Sequence, residues 1–187
     1  MVEVHTKEII LLFQSILQLK YVKRSGWISK VQVPNPESVG DHTYSMCTIS
    51  MILSDILGLD TERIMKMVLL HDLAESITGD YSPEEISKKQ KLKEENKAMN
   101  SILSNISFNI RSHYKEIWKE YVLNKTESAR FVHRVDKLEM ALQAKRYAKD
   151  NSHFSDSFNQ FFESANNAIQ LDKPDLIMGI LDHIMSS

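Results

Sequence analysis

Leu69-Leu70-His71-Asp72-Leu73-Ala74-Glu75, with Thr78-Gly79-Asp80 close behind, sets ionisable side chains inside an apolar run. Two metal-ligand side chains stand side by side in it, a second carboxylate follows one helical turn on, and Val68, Leu69, Leu70 and Leu73 around them are apolar. Apolar neighbours draw the segment toward a core, where ionisable groups need partners or a cation to offset lost hydration. The spacing predicts one helix running through to Thr78-Gly79. On it His71 and Glu75 share a face, and Asp72 lies about 100° round from His71, so a cation between the two adjacent side chains would touch both. Three ligand-type groups are an incomplete shell, and the rest of the chain must supply one or two more.

Upstream, Asp60 reads as the N-cap of this helix, with Glu62 at its positive end and Ile64, Met67, Val68, Leu70 and Leu73 as its apolar face. A helix from Ser38 to Leu57, stopped by Gly58, carries His42. Tyr21 to Ser38 is a long connector with Gly26, Pro34 and Pro36, and it holds Arg24, Trp27 and Lys30. Before it, Ile9, Ile10, Leu12, Phe13, Ile16, Leu17 and Leu19 recur at helical spacing from Lys7 to Leu19.

Downstream, Ser82-Pro83-Glu84-Glu85 reads as a helix start: Ser as N-cap, Pro at the first helical position, Glu three after the Ser. Lys88 to Lys97 is densely charged and reads as a solvated face, since Glu94 and Glu95 interrupt the lysines. Further helices are expected over Ile110 to Leu123, Glu127 to Lys149 and Phe158 to Gln170, and from Pro174 after Asp172 or Lys173. In the Glu127 to Lys149 helix, Phe131, Val135, Leu138, Leu142 and Tyr147 mark the buried side, with Asp136 among them.

With only five glycines and four prolines in 187 residues, and much Leu, Ile, Met, Lys and Glu, the chain reads as all-α. Its length fits one domain with a substantial core, and there is no internal repeat or domain boundary. A net charge of −2 gives no broad electrostatic case for binding a nucleic acid polymer. The single cysteine, Cys47, excludes an intrachain disulfide and reads as a small buried residue. The first twenty residues do not read as a signal peptide, and no apolar run approaches a membrane span, so a soluble cytoplasmic protein is expected.

Of seven histidines, His5, His113, His153 and His183 lack a carboxylate arranged for ligation, and His133, three before Asp136, reads as a packing or supporting residue. His42 differs. It follows Asp41 at the start of an apolar helix, and with His71-Asp72 and Asp136 it makes a pattern of His, His-Asp and Asp on three expected helices.

This pattern resembles the ligand signature of the HD superfamily of metal-dependent phosphohydrolases, H...HD...D in that order. A helical bundle is the natural scaffold, since facing helices aim such side chains into one interior site. Arg24-Ser25-Gly26-Trp27, Pro36-Glu37-Ser38-Val39-Gly40-Asp41-His42, His71-Asp72-Leu73-Ala74-Glu75 with Thr78-Gly79-Asp80, and Val135-Asp136-Lys137-Leu138-Glu139-Met140 with Leu142-Gln143-Ala144 together resemble the HD-domain 5'-deoxynucleotidase family. The resemblance is strongest over residues 21–147. It implies one HD-type domain over 1–187, with C-terminal helices over 154–185 packed on it.

The resemblance implies His42, His71, Asp72 and Asp136 as ligands of a divalent ion, of which Co, Mn, Zn, Ni and Fe suit mixed imidazole and carboxylate donors. It puts Glu75, Arg24 and Asp72 in the catalytic set, with Glu75 handling the water or leaving group and Arg24 holding the phosphate. Around the substrate it places Arg24, Trp27, Asp80, Tyr81, Ser82, Pro83 and Asp136. A second, weaker ion such as Mg would sit on Glu75, Asp80 and the Tyr81 carbonyl. Ser25 and Gly26 separate Arg24 from Trp27, which are adjacent in one branch of the family, so the role of Arg24 carries over better than the sugar-selecting role of Trp27.

The implied activity is hydrolysis of deoxyribonucleoside 5'-monophosphates by a homodimer. A different nucleotide substrate, cyclic or triphosphate, would need room for a diester or a polyphosphate cradle, and no glycine-rich or lysine-rich loop of that kind is present. A non-catalytic nucleotide sensor on the same scaffold would bind without turnover, against which Glu75 and Arg24 both argue.

Overall fold

A computed structural model describes residues 6–82, 85–150, 157–170 and 175–186. These form ten helices: α1 (Thr6–Gln18), α2 (Ser25–Ser29), α3 (Val39–Leu57), α4 (Thr61–His71), α5 (Glu75–Thr78), α6 (Lys88–Leu103), α7 (Phe108–Leu123), α8 (Glu127–Asp150), α9 (Asn159–Ile169) and α10 (Leu176–Ser186). Among the described residues the sole β-type pairing is an isolated bridge between Lys23 and Ser38, so the all-α expectation holds.

The helix limits follow from local chemistry. Ser38 caps α3 through a reciprocal pair: its hydroxyl accepts from the Asp41 amide while the Asp41 carboxylate accepts from the Ser38 amide. Gly58 ends α3 with φ +67°, a left-handed turn that glycine takes without steric cost. Asp60 caps α4 as expected, its carboxylate accepting from the Arg63 amide at 3.0 Å.

Two expectations fail here. The metal-ligand segment is not one helix: α4 stops at His71, and Asp72, at φ −111° and ψ 12°, leads into a turn held by the Leu73 amide on the Leu70 carbonyl and the Glu75 amide on the Asp72 carbonyl. That turn moves Asp72 and Glu75 off the faces a continuous helix would give them. At Ser82 the reach-back does occur, Glu85 Oε2 accepting from the Ser82 amide at 2.7 Å, but a turn follows and α6 starts only at Lys88 with Ser87 as its cap. Pro83 and Glu84 of that motif lie outside the described residues, as do the expected start of the last helix at Asp172 to Pro174, and His5 and His153.

Helix α8 is the centre of the bundle and touches α3, α4, α7, α9 and α10. Its buried residues include Ala129, Phe131, Val132, Val135, Leu138, Ala141 and Ala144, and with them Asp136 and Glu139. Leu142, expected on the buried side, is 38% exposed. One continuous core runs from Leu19 to Ile184 and takes in Phe161, Ala165, Ile169, Ile177 and Leu181 from α9 and α10. The Tyr21 to Ser38 connector is sewn to the bundle by the Val39 amide on the Val22 carbonyl and the Gly40 amide on the Leu19 carbonyl. The two backbones come close at Gly40, where a Cβ would stand 3.4 Å from the Leu19 backbone, the near limit of ordinary contact. Cys47 is half-buried beside the core, and burial raises its thiol pKa. No described helix is long and apolar enough to cross a membrane.

Candidate metal centre and adjoining pocket

Capping fixes the start of α3, and with it the fully buried His42. Its Nδ1 lies 2.6 Å from Glu139 Oε2 on α8. A carboxylate in this pair accepts, so Nδ1 carries the hydrogen and Nε2 is turned the other way. His71, at the end of α4, repeats the device, its Nδ1 lying 2.6 Å from the Val68 carbonyl oxygen. Both Nε2 atoms are buried without a hydrogen-bond partner, and Asp72 stands beside them. Its Oδ2 is 2.9 Å from His71 Nε2 and 3.9 Å from His42 Nε2. Ligand atoms of His42, His71 and Asp72 all lie within 4.8 Å of one another. From α8, Asp136 Oδ1 comes within 3.4 Å of His42 Nε2, and its Oδ2 is 2.9 Å from Lys137 Nζ.

Two imidazole nitrogens with no other partner, facing two carboxylates, are the donor set a divalent cation takes. Burial and Arg24 push His42 down, but Asp136 and Glu139 hold it up at about 9. Glu37, His42 and Glu139 make a second close group. There the Nδ1 is already given to Glu139, and Glu37 accepts from Trp27 Nε1 at 2.8 Å, so hydrogen bonds satisfy that side.

A cavity of about 530 Å³ opens on this cluster, within the range of small-ligand sites. Arg24 lines it from the N-cap position of α2, with Nη1 3.5 Å from Asp72 Oδ2. Burial works against its charge, yet Asp136, Asp72, Asp80 and Glu37 raise its pKa above the ordinary arginine value. The loop carrying Arg24 is tied down by Asp80, whose Oδ2 accepts from the Ser25 amide at 2.8 Å. Trp27 lines the wall but is only 1% exposed, packed on Phe161 and edge-on to Tyr147. It is a backing for the pocket more than a surface in it.

Glu75 falls outside the close ligand group and lines the cavity instead. Burial, then Asp72 and Asp80, push its pKa well above the carboxylate range, against the pull of Lys91 and Arg24. Its Oε2 is buried and unpartnered. Tyr81 and Ser82 also line the cavity, as does Asp80, while Pro83 lies outside the described residues.

Several contributors escaped the sequence reading. Glu139 was readable, being three after Asp136 on the same helix face. Lys91, read as part of a solvated run, reaches Glu75 Oε1 at 3.2 Å and lines the cavity. Tyr121 packs edge-on to His71 and stacks on His133 at 4.2 Å, which gives His133 the packing role expected of it. Gln160 and Ser164 reach the cavity from α9, which no local motif signals.

The family model described as HD domain matches residues 16–176. The chain is 35% identical over 161 residues to the human protein named 5'-deoxynucleotidase HDDC2, an alignment covering 86% of this chain and 76% of the relative. The Dictyostelium discoideum protein of the same name is 36% identical over 157 residues, covering 79% and 82%. Among solved structures, a conserved hypothetical protein from Pyrococcus furiosus superposes with a TM-score of 0.76 at 28% identity, covering 95% of this chain and 99% of that one.

Proposed function

Because the chain belongs to the HD domain family, we propose that it is a 5'-deoxynucleotidase, a divalent-metal-dependent phosphomonoesterase that converts deoxyribonucleoside 5'-monophosphates to deoxynucleoside and phosphate. The observation that carries this reading is the pair of buried, unpartnered imidazole nitrogens beside Asp72, in a cavity that also holds an arginine. The whole chain is read as one domain of this type.

His42, His71, Asp72 and Asp136 would hold the ion, and this donor set suits Co, Mn, Zn, Ni or Fe. A bound ion supplies Lewis acidity toward a water nucleophile and toward the phosphoryl oxygens. Arg24 holds the phosphate, since its planar fork matches two phosphate oxygens and its charge is permanent. Glu75 Oε2 takes a proton from the attacking water or gives one to the departing 5'-oxygen, a role suited to a carboxyl whose burial raises its affinity for the proton. Asp80 steadies Arg24 through Ser25, and Trp27 backs the sugar pocket.

The chain is further read as a homodimer. Helix α1 buries none of its residues; its Leu12 and Ile16 line an apolar groove of about 820 Å³ that α3 and α4 also line, and its Ile10, Leu11, Phe13 and Leu17 are about half exposed. Tyr44 and Leu69 on those helices are exposed too.

The test is phosphate release after chelation and readdition of single divalent ions, across ribo and deoxyribo 5'-monophosphates, 3'-monophosphates and cyclic nucleotides. Release confined to 5'-monophosphates, faster with the deoxy series and dependent on added ion, is the expected result. Turnover of cyclic nucleotides alone, or binding without turnover, would overturn it.

A further inference from the structure

The connector from Lys23 to Ser38 closes on itself, and Glu37 stands at the closure. Its carbonyl oxygen accepts from the Arg24 amide at 3.1 Å, next to the bridge between Lys23 and Ser38. Its amide donates to the Tyr147 hydroxyl of α8 at 2.8 Å. The carboxylate turns back into the connector, where Oε1 accepts from Trp27 Nε1 at 2.8 Å and lies 3.9 Å from Arg24 Nε. Among the described residues, Arg24 and Trp27 line the cavity and Glu37 does not. A side chain only 8% exposed therefore holds, from behind, the two groups that meet phosphate and sugar in the reading above.

A buried indole N–H needs only a neutral acceptor, which a glutamine would supply without the desolvation cost of a carboxylate. Burial and Glu139 push the Glu37 pKa up, while the Trp27 N–H, Arg24 and His42 pull it back. Of the two cationic partners, His42 has already given Nδ1 to Glu139 at 2.6 Å, which leaves Arg24. The far side of that guanidinium faces Asp72, Nη1 lying 3.5 Å from Oδ2. Held between the two carboxylates, the planar fork is oriented before a phosphate arrives and loses less rotamer freedom on binding one.

We propose that Glu37 is a positioning residue for substrate: its carboxylate sets the Arg24 guanidinium for the phosphate and the Trp27 indole for the sugar. The sugar half rests on the nucleotidase reading above, and the phosphate half on Arg24.

Glu37→Gln keeps an oxygen for Trp27 Nε1 and removes the charge facing Arg24, whereas Glu37→Ala removes both. Each Mn-loaded, full-length variant is compared with wild type in calorimetric binding of inorganic phosphate, and in KM and kcat for deoxyadenosine and adenosine 5'-monophosphates. Both variants should bind phosphate about tenfold more weakly, the weight of one contact to a charged group. KM should rise in parallel with kcat much less changed. The deoxy-to-ribo ratio of kcat/KM should hold in Glu37→Gln and fall in Glu37→Ala. Mn affinity of chelator-stripped Glu37→Gln should match wild type, because a purely structural role would loosen α3 and its His42 as well. Unchanged or tighter phosphate binding in Glu37→Gln overturns the proposal, and so does a loss of Mn affinity that tracks the loss of phosphate. An unchanged ratio in folded Glu37→Ala overturns the sugar half. Should Glu37→Ala fail to fold, Glu37→Gln decides. A wild type that binds phosphate yet releases none from 5'-monophosphates brings down the nucleotidase reading, and the phosphate titrations still decide on Glu37.

Discussion

His42 is held from two sides, by Glu139 at Nδ1 and by the Asp136 and Asp72 carboxylates at Nε2. The Glu139 contact sets ring orientation and tautomer, so Glu139→Ala should weaken metal binding by about 10–100-fold while the fold survives, read by titrating chelator-stripped protein. Asp72→Ala removes a carboxylate central to the cluster, and metal content and turnover should be lost together. Glu75→Ala should retain the ion yet lose on the order of 10²–10⁴-fold in kcat, the usual weight of a general acid or base. A near-normal rate would remove Glu75 from the chemistry. At this scale much was legible, because His42, His71, Asp72 and Asp136 carry their own signature. Lys91 was not, since a lysine among lysines gives no sign of which one turns inward.

At the scale of elements, α8 carries Asp136 and Glu139 on one face, and Leu138, 1% exposed, packs into the core from another. Leu138→Ala should cost about 2–5 kcal/mol in denaturant unfolding, from lost burial plus the cavity left behind. Helix α10 is pinned to α8 by a two-pronged contact, Arg134 donating to both Asp175 oxygens at 2.6 and 2.7 Å. That contact and the capped amides hold the Asp175 carboxyl below the usual range. A depressed folded pKa means the unfolded chain binds the proton more readily. The contribution is therefore full above about pH 4, the unfolded value, and is lost as pH falls through the folded one. Asp175→Asn should flatten that acid limb in thermal melts, whereas a slope equal to the wild type would assign it elsewhere. Caps at Ser38, Gly58 and Asp60 were readable because they depend on neighbours within four residues. The break after His71 was not, since helical propensity continues through Leu73 and Ala74 and only the tertiary setting of Asp72 favours the turn.

For the whole molecule, an ion that binds the folded chain alone stabilises it by mass action, about 2.7 kcal/mol at a hundred times its Kd. Chelation should lower the Tm, and readdition should restore it. The apolar face on α1, α3 and α4 should bring sedimentation to twice the chain mass, with Tyr44→Asp combined with Leu69→Asp returning it to one. The helical class, the caps at Ser38, Gly58 and Asp60, and the candidate set His42, His71, Asp72 and Asp136 were legible in the chain itself, because periodicity, capping and residue order are patterns written residue by residue. Only the tertiary structure decided which oxygens Lys91 meets, that Trp27 lies behind the pocket wall, that Asp72 turns out of its helix, and that α9 sends Gln160 and Ser164 to the cavity. These depend on distances between residues far apart in the chain, which are set by how the core closes around α8 and leave no trace in local spacing.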